Sequence, residues 1–491
     1  MLSSLVQKIL AKTPQISIPV AVMCAALGWY FLSRSTEKRE EPDDDSDFPM
    51  VRNGMSGLEF ARNALGKEGP ALLLDLAREM GTFIFRTPGS TSGAKFKVYV
   101  VGDPPAARTI LKNSKNGKSV PWYKPFDDIS TGESFFGHNG KRAMHVRKST
   151  APAFSVQNVK RKSDIIETIM KKWVTERLEP FYVKPFTPID VDQEMVTLTT
   201  DILFQVGFGY KLSEEDNDLF VSRMECAMNE FALKLNVWKN IKLTAWMFPG
   251  IRKGRRAANE MIKLCTKVLE AYRKNPSPDP NTLIHMMAND PDYDSDEERC
   301  RDMVIIAFGG FATSAHTIAW TLLELARNPE EQDQLRSALS NFSSKEETRQ
   351  CQELKNVIKE ILRLQTPTAL GVVRTMEKDV RLPGNKVIAA GSICMMPFYL
   401  IQRNGNYFDN PDSFMPSRWN NMSEESLKAF MPFALGGRSC PGQALAHEEI
   451  TIILSRLLTK YEFSVSEEGK SENWITYKTI GTKLWIKKSS K

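Results

Sequence analysis

Paired cysteines are missing from this chain. Its seven cysteines (Cys24, Cys226, Cys265, Cys300, Cys351, Cys394 and Cys440) are odd in number, scattered, and nowhere in a CxxC pair. That excludes a disulfide framework of the secreted kind and a zinc cage as organising devices, and points to reduced thiols on the cytosolic side. There is no GxGxxG loop after a strand, so direct binding of a dinucleotide is not indicated. The net charge of +7 is spread over 66 basic and 59 acidic residues without a dense basic–aromatic patch, so nucleic acid is not an expected partner. No internal repeat and, beyond residue 60, no long Gly/Ser- or Pro-rich linker divides the 491 residues. One large domain is the reading, its core drawn from a 42% hydrophobic content.

Apolar runs of membrane-spanning length are scarce too. The uncharged ISIPVAVMCAALGWYFL, Ile16 to Leu32, is at the short limit for a membrane-spanning helix, with Trp29 and Tyr30 where an aromatic belt would sit. Arg34, Lys38 and Arg39 follow, then the acidic EEPDDDSD from Glu40 to Asp47. We read residues 1–48 as a membrane anchor with an acidic linker, and residues 49–491 as one catalytic domain. Lys8 and Lys12 on the other flank weaken the orientation signal, and the acid-free segment before Glu37 also fits a transit peptide.

What is there is mostly helical periodicity. GTFIFRT (Gly81 to Thr87) and FKVYVVGDP (Phe96 to Pro104) read as strands, the second closed by a Gly-Asp-Pro turn. Helical runs are expected near 162–180, 190–207, 213–235, 254–274, 296–327, 329–340, 351–364 and 442–460. The expected class is therefore mainly α with a small β part.

The longest run starts at an S-x-x-E capping box, Ser295 and Glu298, and ends at Asn328-Pro329. Its middle reads AFGGFATSAHT, Ala307 to Thr317. Two mid-helix glycines cost about 1 kcal/mol each relative to alanine. Either they admit a neighbouring helix, or they clear one face for a flat ligand with Thr313 and Ser314 a turn further on.

One cysteine, Cys440, stands in PFALGGRSCPGQALAHEE, Pro432 to Glu449. A lone cysteine is ordinarily a buried, inert residue. Here Arg438 precedes it and a helix starts near Gly442, two features that favour a thiolate, which is the metal-binding form.

Phe433-x-x-Gly436-x-Arg438-x-Cys440-x-Gly442 resembles the haem-binding signature of the cytochrome P450 family, of the membrane-bound eukaryotic microsomal type. Glu360-x-x-Arg363 resembles the family's ExxR pair, and Phe414-x-Pro416-x-Arg418-Trp419 the motif that follows it. GGFATS, Gly309 to Ser314, stands in the oxygen-activating segment, and Gly140 to Phe154 is similar to the helix that reaches the haem propionates. The resemblance spans residues 50–491. It implies the P450 fold, with a long central helix over haem b (iron protoporphyrin IX) and a thiolate loop beneath.

By the same resemblance Cys440 is the iron ligand, while Phe433, Gly436, Arg438, Gly442, Arg147 and Arg374 hold the cofactor. Guanidinium groups suit the carboxylates of haem, and His145 is a further candidate. Thr313 and Ser314 would carry protons. Glu360, Arg363 and Arg418 would form a structural network, either a surface ion pair or a buried cluster in which one glutamate accepts from two arginines. Phe126, Ile306, Phe311, Thr368, Leu370, Val372 and Ile480 would line the substrate pocket. The chain departs from the family at Ala143, at Ser417, and above all at Ala312, where an acid usually precedes the threonine. Protons must then arrive through Thr313, Ser314 and water, or from elsewhere.

The implied activity is monooxygenation of a lipophilic small molecule (terpenoid, sterol or fatty-acid-like). Dioxygen would be the oxidant and NADPH would act through a flavoprotein reductase, with cytochrome b5 as a further donor. The implied location is the endoplasmic reticulum membrane, single-pass, with a cytosolic catalytic domain; a mitochondrial or plastid membrane is the alternative. Two other classes stay open: a haem-thiolate isomerase, lyase or dehydratase needing no dioxygen, and a haem sensor or carrier. Val237 to Arg256 interleaves Trp238, Trp246 and Phe248 with a basic run, a composition suited to a lipid interface or to a core loop with a solvated end.

Overall fold

The computed structural model describes residues 47–88, 97–113, 115–183, 187–232, 249–342, 344–473 and 475–489. The anchor expected at 16–32 and residues 237–248 of the interfacial stretch lie outside the described residues.

The central helix, Asp296–Arg327, runs for 32 residues. Its capping box forms in a shifted way: Ser295 Oγ accepts from the Glu298 amide at 3.2 Å, while the Glu298 carboxylate accepts from the amide of Asp294 at 3.0 Å. At the other end Asn328 Nδ2 donates to Glu324 O at 2.8 Å, closing the helix before Pro329. From Met303 to Ala326 almost every residue is buried, which is the pattern of a helix covered on all sides. Val191–Phe208 lies along it, with Thr199 Oγ1 donating to Phe311 O at 3.1 Å. The helix Gln443–Lys460 packs on another side.

Most expected helices form: Glu214–Ala232, Pro249–Lys274, Pro329–Leu339 and Gln352–Leu364. The run expected over 162–180 is interrupted. Ser163–Trp173 is α-helical, Val174–Leu178 widens into a π turn, and Glu179–Val183 resumes. Trp173 and Arg177, at the two ends of the transition, both donate to the Glu194 carboxylate (Nε1 at 3.3 Å; Nη2 at 2.8 Å), and π turns of this kind insert one residue to re-aim side chains.

The Gly-Asp-Pro expected to close a strand does so, the strand ending at Val101, and it also starts a helix. Asp103 Oδ2 accepts from the Ala106 amide at 3.0 Å and Pro104 occupies the first helical position of Pro104–Lys112.

The β part is small. Its largest sheet has five strands in the order Ile84–Arg86, Val98–Val101, Ile393–Met396, Val372–Thr375, Gly117–Lys118. All neighbours are antiparallel except Val98–Val101 with Ile393–Met396. The C-terminal strand Lys483–Lys488 pairs with Ile189–Asp190 on one side and Tyr461–Glu467 on the other, and Lys470–Asn473 pairs with Tyr477–Ile480.

Phe48 is fully buried against Tyr99, ring centroids 5.2 Å apart, and its carbonyl accepts from Arg86 Nε at 2.9 Å. The folded body thus includes at least this residue on the N-terminal side of the expected boundary at 48/49.

Candidate active site

A cavity of about 360 Å³ lies between the central helix and the loop that carries Cys440, within the size range of ligand pockets. The loop is bent by two residues at positive φ, Ala434 at 57° and Gly436 at 76°. Glycine is required at 436, because a Cβ there would sit 2.6 Å from the Leu111 carbonyl of the helix Pro104–Lys112. The turn brings the Cys440 amide onto Phe433 O at 2.8 Å. Cys440 is exposed, but to the cavity it lines. Burial on its other sides pushes the thiol up, while the Gly442 amide and Arg147 pull it back. A metal cation at the sulfur would remove the proton outright.

The central helix forms the opposite wall, and its two glycines have different neighbours. A Cβ on Gly309 would meet nothing within 4 Å, whereas one on Gly310 would press on Leu203 Cδ2 at 2.8 Å. Both readings of the pair are realised: Gly309 clears the cavity face and Gly310 admits a neighbouring helix. Thr313 and Ser314 line the same wall, with Thr313 Oγ1 donating to Gly309 O at 2.9 Å. Ala312 is buried.

At one end of the cavity four cations converge. Arg374 pairs with Lys118 in strand register, and Arg147 donates from Nε to Gly437 O at 3.1 Å and from Nη2 to Ser439 O. Arg438 and Lys118 complete the set, and all four line the cavity. Among the described residues none of them is paired with a carboxylate. Lys118 is pushed down to about 7 by burial, then by Arg374, Arg438 and Arg147. Burial lowers Arg147 and Arg438 as well, with Arg374 adding to both. A converging, mutually repelling set of cations is the complement of an anionic ligand. Sequence reasoning missed Lys118, which sits in a two-residue strand with no motif around it.

The apolar end is lined by Phe126, Ile306, Thr368, Leu370 and Val372. Phe126 belongs to an aromatic cluster with Phe136 at 5.1 Å and Phe308 at 5.8 Å. Two residues expected here are elsewhere. Phe311 lies on another face of the central helix, its ring 6.1 Å from Phe220, and Ile480 is 38% exposed in the strand paired with Lys470. His145 also points away, held by Asp290 at 2.9 Å and Asp292 at 3.1 Å.

Of the two alternatives for Glu360, the geometry is that of a buried cluster. Arg363 donates to it from Nε at 3.0 Å and Nη2 at 2.8 Å, Arg418 from Nε at 3.0 Å, and Trp419 from Nε1 at 3.0 Å. Arg363 spends its remaining donors on the carbonyls of Gln402, Pro411 and Ser413. This ties the helix Gln352–Leu364 to the 402–419 segment that leads into the cysteine loop.

The donor set therefore fits a large, flat, doubly anionic cofactor held through sulfur: a thiol at the floor, cations at one edge, an open glycine above. The comparisons agree with the class. The cytochrome P450 family model matches residues 89–483. Abscisic acid 8'-hydroxylase 1 of Arabidopsis thaliana is 25% identical over 84% of this chain and 88% of its own. A cytochrome P450 monooxygenase, btcC, of Neocamarosporium betae is 25% identical over 75% and 78%, and a cytokinin hydroxylase of Arabidopsis thaliana 26% over 68% and 67%. The crystal structure of the cytochrome P450DA heme domain superposes with a TM-score of 0.75 at 20% identity, covering 90% of this chain and 98% of that one.

This chain belongs to the cytochrome P450 family. It is a monooxygenase that works with haem iron, dioxygen and a redox partner.

Proposed function

We propose that Cys440 Sγ ligates the iron of haem b and that Arg147, Arg374 and Arg438, with Lys118, pair with its propionates. The observation that carries this is the lone thiol facing a cavity whose edge gathers four cations without a carboxylate partner among the described residues. Phe433, Gly436 and Gly442 shape the loop beneath. Haem bound there supplies oxygen activation, and thiolate donation favours O–O cleavage. The chain's own residues position and exclude. Gly309 keeps the cavity wall clear, Thr313 and Ser314 hold hydroxyl protons there, and Phe126, Ile306, Thr368, Leu370 and Val372 would offer a dry surface to a lipophilic substrate of terpenoid, sterol or fatty-acid type.

The segment before Asp47 acts as a single-pass anchor in the endoplasmic reticulum, with the folded domain, Phe48 included, in the cytosol beside an NADPH-dependent flavoprotein reductase. Support for this comes from the sequence of Ile16 to Leu32. The reduced carbon monoxide complex of the wild type should absorb at the wavelength for which the family is named, and Cys440→Ala should lose that band. A folded, haem-loaded wild type without it would overturn the ligand assignment. With reductase and a panel of lipophilic compounds, NADPH and dioxygen should be consumed together with appearance of a hydroxylated product.

A further inference from the structure

A buried ionic group that the cysteine site does not use lies behind the cavity wall. Asp192, in the first turn of Val191–Phe208, is buried between the central helix and the C-terminal hairpin. Its Oδ1 stands 3.4 Å from Nε2 of the buried His316, and its Oδ2 3.8 Å from Lys478 Nζ. Lys478 also reaches Glu225 Oε1 at 3.5 Å, on the helix Glu214–Ala232. One ammonium therefore joins the strand Tyr477–Ile480 to two helices. Ile475 and Thr476, three and two residues before Lys478, line the cavity. Between them and the lysine, Tyr477 is a fixed point: its amide donates to Pro367 O at 2.8 Å, and its carbonyl accepts from Trp320 Nε1 at 3.3 Å. What holds Lys478 on one side of that point sets how Ile475 and Thr476 stand on the other.

The other charged groups of the surrounding elements are engaged elsewhere. Asp190 accepts from the Gln193 amide, and Glu194 takes Trp173 and Arg177. Lys172 pairs with Glu176, Lys483 with Glu467 and Arg223 with Glu260, while His285 is bonded to Tyr272. Among the described residues that leaves Lys478 as the cation beside Asp192. Burial pushes the Asp192 carboxyl up to about 7; Lys478 pulls against it, and Asp190 and Glu225 add to the push. Burial also pushes His316 well down, so that its ring is neutral near pH 7. Each oxygen of Asp192 thus faces the partner of one protonation state. The carboxylate attracts Lys478, and the neutral acid has an imidazole nitrogen to donate to.

We propose that Lys478 is a positioning residue for the substrate pocket and that Asp192 governs its grip. As a carboxylate, Asp192 holds the lysine and with it the hairpin wall at Ile475 and Thr476. As an acid, it turns to His316 and leaves Lys478 to Glu225 alone. The proton comes from solvent, to which the Asp192 side chain stays 11% exposed, and no other bond changes. The pocket is firmest above the titration of Asp192 and loosens below it. This takes the cavity to be where a lipophilic substrate binds, and so rests on the proposed function.

The experiment uses the full-length holoenzyme. Amide hydrogen exchange read by mass spectrometry, corrected for the intrinsic effect of pH, follows the hairpin without any substrate. In wild type, exchange across residues 470–480 should be about fivefold faster at pH 6 than at pH 8. It should be fast at both in Asp192→Asn and in Lys478→Met, whereas Lys478→Arg should keep the step. The infrared band of a carboxylic acid, taken as wild type minus Asp192→Asn, should be present at pH 6 and largely gone at pH 8. With reductase and a compound that wild type hydroxylates, KM should fall several-fold from pH 6 to pH 8 while kcat stays nearly level. Asp192→Asn should flatten that profile, which a merely structural role would leave intact. Equal exchange at both pH values, a step that survives in Asp192→Asn, or failure of Lys478→Arg to restore what Lys478→Met loses overturns the proposal. A step in exchange with a level KM overturns the positioning role. Failure of wild type to turn over any compound would instead count against the proposed function, and the exchange and infrared results would still decide the grip of Asp192 on Lys478.

Discussion

Lys118 is a residue whose charge depends on what the cavity holds. Burial and three arginines keep its amine at about 7, far below an ordinary lysine. An incoming dianion gives the ammonium form a partner, so its pKa must rise and the amine must take up a proton at pH 8. Ligation at Cys440 releases a proton at the same time. Loading the apoprotein with haem at pH 8 should therefore release less acid from wild type than from Lys118→Met, as measured by titration in weakly buffered solution. Equal release would mean that Lys118 does not face the propionates. The same depression has a stability consequence. The folded apoprotein binds fewer protons at Lys118 than the unfolded chain does between about 7 and the ordinary lysine range. This residue's contribution therefore improves as pH rises through that window.

Among elements, the helix Gln352–Leu364 carries the cluster that fixes the approach to the cysteine loop. Glu360→Ala would leave Arg363 and Arg418 buried without their carboxylate, at about 3–5 kcal/mol. Urea unfolding should show that loss together with weaker haem retention; a variant within 1 kcal/mol of wild type would contradict the buried network. On the central helix the two glycines should separate in the same experiment. Gly309→Ala should stabilise the fold by up to about 1 kcal/mol while hindering ligands in the cavity, and Gly310→Ala should not, because its methyl meets Leu203.

The helices were legible because 3.6-residue periodicity is local. The cysteine loop was legible because its residues are close together in the chain. Lys118 and Glu449, the latter on the helix Gln443–Lys460, were not, since each is brought to the cavity by tertiary packing. Nothing in HEE tells which glutamate turns inward and which pairs with Arg349. Phe311 and Ile480 failed for the complementary reason: apolar character marks a residue for burial or pairing without saying which face it occupies. The π turn at Val174–Leu178 was invisible too, because the carboxylate of Glu194 that both of its ends bond comes from a different helix.

For the whole molecule, burial of Phe48 sets a minimal folded body. A chain beginning at Asp47 should fold, load haem and give the same carbon monoxide band as the full chain. Full-length protein should float with vesicles at any salt. The shortened chain should float weakly and only with anionic vesicles at low salt, where attraction to the basic run Arg252 to Arg256 is least screened. If it fails to float even there, the segment before Asp47 is the sole membrane contact. The central helix adds a different demand, one of biogenesis. Among the described residues it is the one helix long and apolar enough to cross a bilayer, yet 83% of its most apolar window is buried within the protein. If the proposed anchor tethers the nascent chain at the membrane, this second segment is displayed there before Gln443–Lys460, synthesised long afterwards, has enclosed it. Until then the insertion machinery and the unfinished fold compete for the same stretch. Asp302, His316 and Glu324, polar groups that the finished interior accommodates and a lipid core would reject, tip that competition toward the folded enzyme.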